Sequence, residues 1–192
     1  MPATETLVDP HRANQSQGLA EDSLYEVVDG IHVEQPAMSI YANRVATRLQ
    51  RTLARVAEEG GLGTVTIESL FILDAESDLR RRPDVAFVSA ATWPLDRPLP
   101  ETGDWEVVPD LCIEVVSPHD LFDTVTRKLQ EYFACGVREV WILWPEAREV
   151  HVYRSREQFK IHGEQATLIS ELLPGVRLPV ADLFQRLPAA AG

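Results

Sequence analysis

Asp84 opens the apolar run Val85-Ala86-Phe87-Val88 directly after Pro83, and thirty residues later Glu114 interrupts a second apolar run, Leu111 to Val116. A carboxylate inside such a strand is costly unless a metal, a base or solvent compensates it. Two acids converging from neighbouring strands form a divalent-cation site. Taken singly, strand-end acids of this kind also serve as turn and cap residues. Lys128 lies downstream in a segment of helical periodicity, at the border of its apolar arc. A lysine there can bury its stem and bring its ammonium to the end of the neighbouring strand, or it can simply snorkel to solvent. Asp84, Glu114 and Lys128 together suit phosphate-ester hydrolysis: two carboxylates for Mg²⁺ or Mn²⁺, and an ammonium to orient water or offset phosphoryl charge.

The elements that must position these residues are legible from periodicity. Tyr25-Glu26-Val27-Val28 and Ile31-His32-Val33-Glu34 flank Asp29-Gly30, a hairpin signal. From Met38 to about Glu58 the pattern becomes helical, with Met38, Tyr41, Ala42, Val45, Leu49, Leu53 and Val56 in one arc and Gly60-Gly61 as the stop. Residues 64–67 and 70–73 read as strands either side of Glu68-Ser69. A polar, proline-rich loop from Trp93 to Pro100 is a candidate rim or lid, or a surface insertion. Asp120 to Cys135 reads as a helix whose apolar arc includes Leu121, Phe122, Val125, Leu129, Tyr132 and Phe133. A strand pair follows at residues 140–144 and 149–154, then a terminal strand at residues 175–180 and a helical turn. The fold class expected is an α/β sandwich, with one long helix before a mixed sheet and a second helix crossing between strands. Residues 1–18 read as a flexible leader and residues 19–188 as one domain.

The chain has 192 residues and a formal charge of −12, from 18 basic and 30 acidic side chains, which opposes the usual footprint of a nucleic-acid binder. The acids cluster between residues 101 and 124, where Glu101, Asp104, Glu106, Asp110, Glu114, Asp120 and Asp123 stand without a Lys or Arg. Such a cluster attracts metal or forms a solvated surface. The one concentrated positive feature is Arg44, Arg48, Arg51 and Arg55, a stripe along the first helix that can meet phosphates or flank the core as solvated side chains. His119 can contact phosphate, act as a local acid or base, or bond locally at a helix entry. His32 and His151 read as outward-facing strand residues. Two cysteines, Cys112 and Cys135, without metal-ligand spacing suggest reduced thiols and a cytoplasmic protein. No run approaches a membrane span, and no P-loop, dinucleotide fingerprint or zinc motif occurs.

Tyr25 to Gly30, Pro83 to Val88, Pro109-Asp110-Leu111, Glu114 to Pro118, Lys128 with Tyr132, and Gly136 to Leu143 occur in an order that resembles the PD-(D/E)XK nuclease superfamily. The closer resemblance is to its bacterial branch of restriction-endonuclease-like proteins of largely unknown role, over roughly residues 20 to 185. The resemblance implies a metal-dependent endonuclease core with an N-terminal hairpin, in which Asp84 and Glu114 match the metal-binding acids. The superfamily's lysine stands two residues after the glutamate, where this chain has Val116; Lys128 matches the lysine that the branch carries on the following helix. A further acid from the N-terminal region falls on Glu26 or Glu34. Ile31 after the hairpin glycine, Tyr41 in the early helix and Trp144-Pro145 depart from the branch's pattern. Two functions follow: a metal-dependent phosphodiesterase acting on DNA, or a non-catalytic oligomeric protein that binds or scaffolds on the same core. Trp93, Trp105, Trp144 and Phe159, read as exposed near sheet edges, suggest a homodimer.

Overall fold

The computed structural model describes residues 24–101, 103–118 and 120–185; the leader at 1–18 and His119 lie outside them. The hairpin is β1 (Tyr25–Val28) and β2 (Ile31–Glu34), and the long helix is α1 (Ile40–Gly60). Ser39 caps α1 by accepting from the Ala42 N–H, and Gly61 ends it in the left-handed region at φ 58°. Then come β3 (Gly63–Ile67), β4 (Leu70–Asp74), β5 (Leu79–Arg81), β6 (Val85–Ser89), β7 (Asp104–Trp105) and β8 (Leu111–Val115). Helix α2 (Phe122–Ala134) leads into β9 (Glu139–Trp144), β10 (Glu149–Tyr153) and β11 (Phe159–His162). The pair β12 (Thr167–Leu168) and β13 (Leu178–Pro179) and the short α3 (Val180–Leu183) complete the described chain.

The strands form two principal sheets where a single mixed sheet is the simpler expectation. One runs β11-β10-β9-β8-β6-β3, the other β2-β1-β5-β4-β7, so β3 and β4 part at Glu68-Ser69 into different sheets. In the six-stranded sheet β8 and β9 are parallel, joined by α2 as their crossover, whereas β6 runs antiparallel to β8. Strand alternation gives this sheet two apolar faces. Val85, Phe87, Ile113, Val115 and Trp141 pack with Ala42, Val45, Leu49 and Leu53 of α1 and with the C-terminal segment. Ala86, Val88, Cys112, Val140 and Ile142 pack with Tyr132 of α2 and with Phe71 and Trp105 of the second sheet.

Several local expectations change. The helix begins at Phe122, and Leu121 and Phe122 stand 71% and 72% exposed, outside the core that its other apolar residues join. The terminal strand shortens to Leu178–Pro179, while β5, β7 and β11 arise from stretches to which periodicity assigns no element. Trp105 is buried against Phe71 and Trp93, and Arg97 lies 3.5 Å over the Trp93 ring, so these tryptophans serve internal packing. The loop at 93–100 follows Ser89 at the far end of β6 from Asp84, which places it away from the candidate site. Among the described residues, no helix is long and apolar enough to cross a membrane.

Candidate active site

Register brings the two acids together. Val85 pairs with Ile113 and Ala86 with Cys112, so one step further Asp84 stands opposite Glu114, both on the face covered by α2. The Asp84 carboxylate accepts the Val115 backbone N–H at 2.6 Å. Glu114 points under α2, whose Lys128 and Tyr132, one helical turn apart, reach it together. Lys128 Nζ donates to Glu114 Oε2 at 3.0 Å, and the Tyr132 hydroxyl donates to Oε1 at 2.5 Å.

Glu26 joins from the second sheet. It is fully buried, lies 3.0 Å from Lys128 Nζ, accepts from Arg81 Nη1 at 2.6 Å and accepts the Arg82 backbone N–H at 3.0 Å. Arg81 also bonds Glu131 of α2. A buried relay therefore runs from Glu131 through Arg81, Glu26 and Lys128 to Glu114 and Tyr132, tying both sheets to α2. Glu34 does not take part: it is exposed on β2, opposite Tyr25.

The electrostatics divide the carboxylates into two kinds. Burial opposes the charge of Glu26, yet Lys128 and Arg81 hold its pKa below the usual value. Glu114 is pushed up, first by burial, which its share of Lys128 does not offset. Asp84 is pushed up to about 8, by burial and then by the Glu114 charge, against the Val115 hydrogen bond and Lys128. Burial works against the ammonium as well, but Glu114 and Glu26 hold the Lys128 pKa above its ordinary value. Lys128 is thus a fixed cation and not a base. Four carboxylates, Glu26, Asp84, Glu114 and Glu131, face two cations, Arg81 and Lys128, leaving a deficit of two positive charges when all are ionised. Among the described residues, no group of three or more His, Cys, Asp or Glu is arranged to hold a metal.

A cleft of about 620 Å³ opens onto Asp84, Glu114 and Lys128, with Glu68, Arg82, Met38 and Pro118 among its walls. The arginine stripe lies elsewhere. Arg44, Arg48, Arg51 and Arg55 border a separate groove along α1; Arg48 caps α3 by donating to the carbonyls of Asp182, Leu183 and Gln185, and Arg55 pairs with Glu59. Of the acids at 101–124, Asp104 pairs with Arg80, Asp110 holds Arg138 and the Ser89 N–H, and Asp120 accepts the Ser117 N–H. Glu101, Glu106 and Asp123 are exposed, so of that cluster only Glu114 joins the buried relay. His151 is half-buried against Glu149, and His32 stacks on Tyr25. Arg81, Arg82, Glu68 and the Tyr132 hydroxyl are site residues that sequence reasoning passed over. The adjacent arginines before Pro83, in a chain so short of positive charge, were the available signal.

A family model described as "Uma2: Putative restriction endonuclease" matches residues 13–181. Among solved structures the chain is similar to "a putative nuclease belonging to DUF820 from Anabaena variabilis ATCC 29413", at 18% identity and a TM-score of 0.73, over 83% of this chain and 89% of that one. At that identity the likeness is one of fold. The family match is what ties the chain to the PD-(D/E)XK-like superfamily. No curated protein matches the chain.

Proposed function

Since the chain belongs to the Uma2 family, we propose that it is a Mg²⁺- or Mn²⁺-dependent phosphodiesterase that hydrolyses DNA internally, with Asp84, Glu114 and Lys128 as its working set. The observation that carries this reading is the pairing of Asp84 and Glu114 across β6 and β8 beside the Lys128 ammonium, all three opening onto one cleft. Asp84 and Glu114 would hold the cation, which when bound neutralises phosphoryl charge and acidifies a coordinated water. Lys128, kept protonated by Glu26 and Glu114, orients water and offsets charge on the phosphorane; it does not remove the proton. Tyr132 and the Val115 N–H fix the two carboxylates before substrate arrives. The functional unit is a single domain over residues 19–188 in the cytoplasm. It is a homodimer, a reading supported by Phe159 and Ile161 exposed on the outer strand β11, and a monomer at all concentrations in light scattering would contradict it.

Calorimetric titration with Mn²⁺ tests the site: the wild type should bind, and Asp84→Asn and Glu114→Gln should each lose at least about tenfold, some 1.4 kcal/mol. Equal binding in all three overturns the reading. A second reading, a non-catalytic binding or scaffolding protein, is favoured by the net charge of −12 and by the two-acid donor set. It predicts no Mn²⁺-dependent plasmid nicking that Lys128→Ala abolishes.

A further inference from the structure

Two basic side chains among the described residues line the cleft, and they are in opposite electrostatic states. The Lys128 ammonium lies between two carboxylates. Arg82 is bound only to neutral acceptors: its Nε donates to the Tyr25 carbonyl at 3.3 Å and its Nη1 to the Glu68 carbonyl at 2.5 Å, and its guanidinium lies 5.9 Å from the Tyr25 ring centroid. Among the described residues no carboxylate pairs with Arg82, and its Nη2 makes no hydrogen bond. The backbone is arranged to keep it so. Glu68 adopts the left-handed region at φ 48°, unusual for a residue with a Cβ, and its carbonyl receives Arg82. The Arg82 N–H is anchored on Glu26, and its Cα lies two residues before Asp84.

A half-buried guanidinium that is held in place yet not neutralised loses little further entropy when an anion arrives, and its free N–H groups suit a phosphate oxygen. Building on the phosphodiesterase reading, we propose that Arg82 is the substrate-binding residue of the cleft, contacting a non-bridging oxygen of the DNA phosphodiester beside Asp84. It takes the role that the α1 stripe offered in the sequence, since that stripe borders another groove and Arg48 and Arg55 are engaged there.

The test uses a short fluorescent single-stranded oligodeoxynucleotide, its anisotropy followed with Ca²⁺ to suppress cleavage, over a range of NaCl. Arg82→Gln should weaken binding about tenfold and reduce the slope of log K against log salt by about 0.7 to 1, one phosphate contact. Arg82→Lys, which keeps the charge, should restore the slope while recovering only part of the affinity; Arg51→Gln, on the stripe, should change neither. In the wild type the Arg82 Nε–Hε resonance should shift on adding inorganic phosphate, a readout that needs no variant and covers a failure of Arg82→Gln to fold. A folded Arg82→Gln with unchanged affinity and salt slope, or a resonance that phosphate leaves in place, overturns the proposal. Calorimetry separates the two readings: a wild type that binds the oligonucleotide through Arg82 but no Mn²⁺ sinks the metal-dependent enzyme and leaves Arg82 standing.

Discussion

Replacing Asp84 with Asn should make the metal-free protein more stable at pH 8. Asp84 is pushed up to about 8 from the ordinary aspartate value of 3.8. The native state therefore keeps a proton that the unfolded chain releases from about pH 4 upward, and the free energy of unfolding falls as pH rises through that window. Each pH unit is worth about 1.4 kcal/mol, which sets a ceiling near 5 to 6 kcal/mol; solvent reaching Asp84 from the cleft reduces it to about 2 to 4 kcal/mol. Asparagine presents the same carbonyl oxygen to the Val115 N–H and carries no proton to lose. For a chain of this size 1 kcal/mol is about 2 to 4 °C, so the Asn variant should melt about 4 to 16 °C above the wild type at pH 8 in EDTA. The two should converge near pH 4. Added Mn²⁺ should raise the melting temperature of the wild type and not of the variant. Melting scans from pH 4 to 9 decide it: a variant no more stable than the wild type at pH 8, or a gap that does not change with pH, refutes the reasoning.

Glu26→Gln should destabilise by about 3 to 5 kcal/mol in urea titrations, because Arg81 and Lys128 lose a fully buried counter-charge, whereas Glu34→Gln on the exposed face should stay within about 0.5 kcal/mol. Arg48→Gln should lower stability by about 1 to 2 kcal/mol through the loss of its bonds to the carbonyls at the end of α3, while Arg48→Gln with Arg55→Gln should leave the salt dependence of oligonucleotide binding unchanged.

The parts of the site that sequence exposed are those where one residue violates its surroundings. Glu114 is a lone charge in a buried strand, Asp84 an acid at a strand mouth, and Lys128 a cation on the border of an apolar arc; each violation has a local signature. Glu26 and Glu34 could not be separated that way. Tyr25 pairs with Glu34 and Glu26 with Val33, so the two acids occupy opposite faces of one hairpin, and only docking of that sheet against α2 decides which is buried. Tyr132 reads as core because its ring is core; the hydroxyl gains its role only when Glu114 lies beneath it. The long elements followed from periodicity. The short strands β5, β7 and β11 did not: β7 is held by Leu70 and Phe71 of β4 and β5 partly by Val27 of β1, both far away in sequence, while β11 joins its neighbour β10 as an exposed edge without an apolar alternation of its own.

The parting of β3 and β4 into different sheets has a kinetic consequence. Glu26 and Arg81 are 55 residues apart in sequence and belong to one sheet, while Glu114 belongs to the other, with Lys128 between them. Arg81 pairs with Glu26 inside one sheet, but Glu114 in the other finds its cation only on α2, so desolvating it is unfavourable until α2 closes over both sheets. Closure of the cluster is then a late event on the folding route. Substitutions within the relay should chiefly speed unfolding and leave the early refolding rate close to that of the wild type.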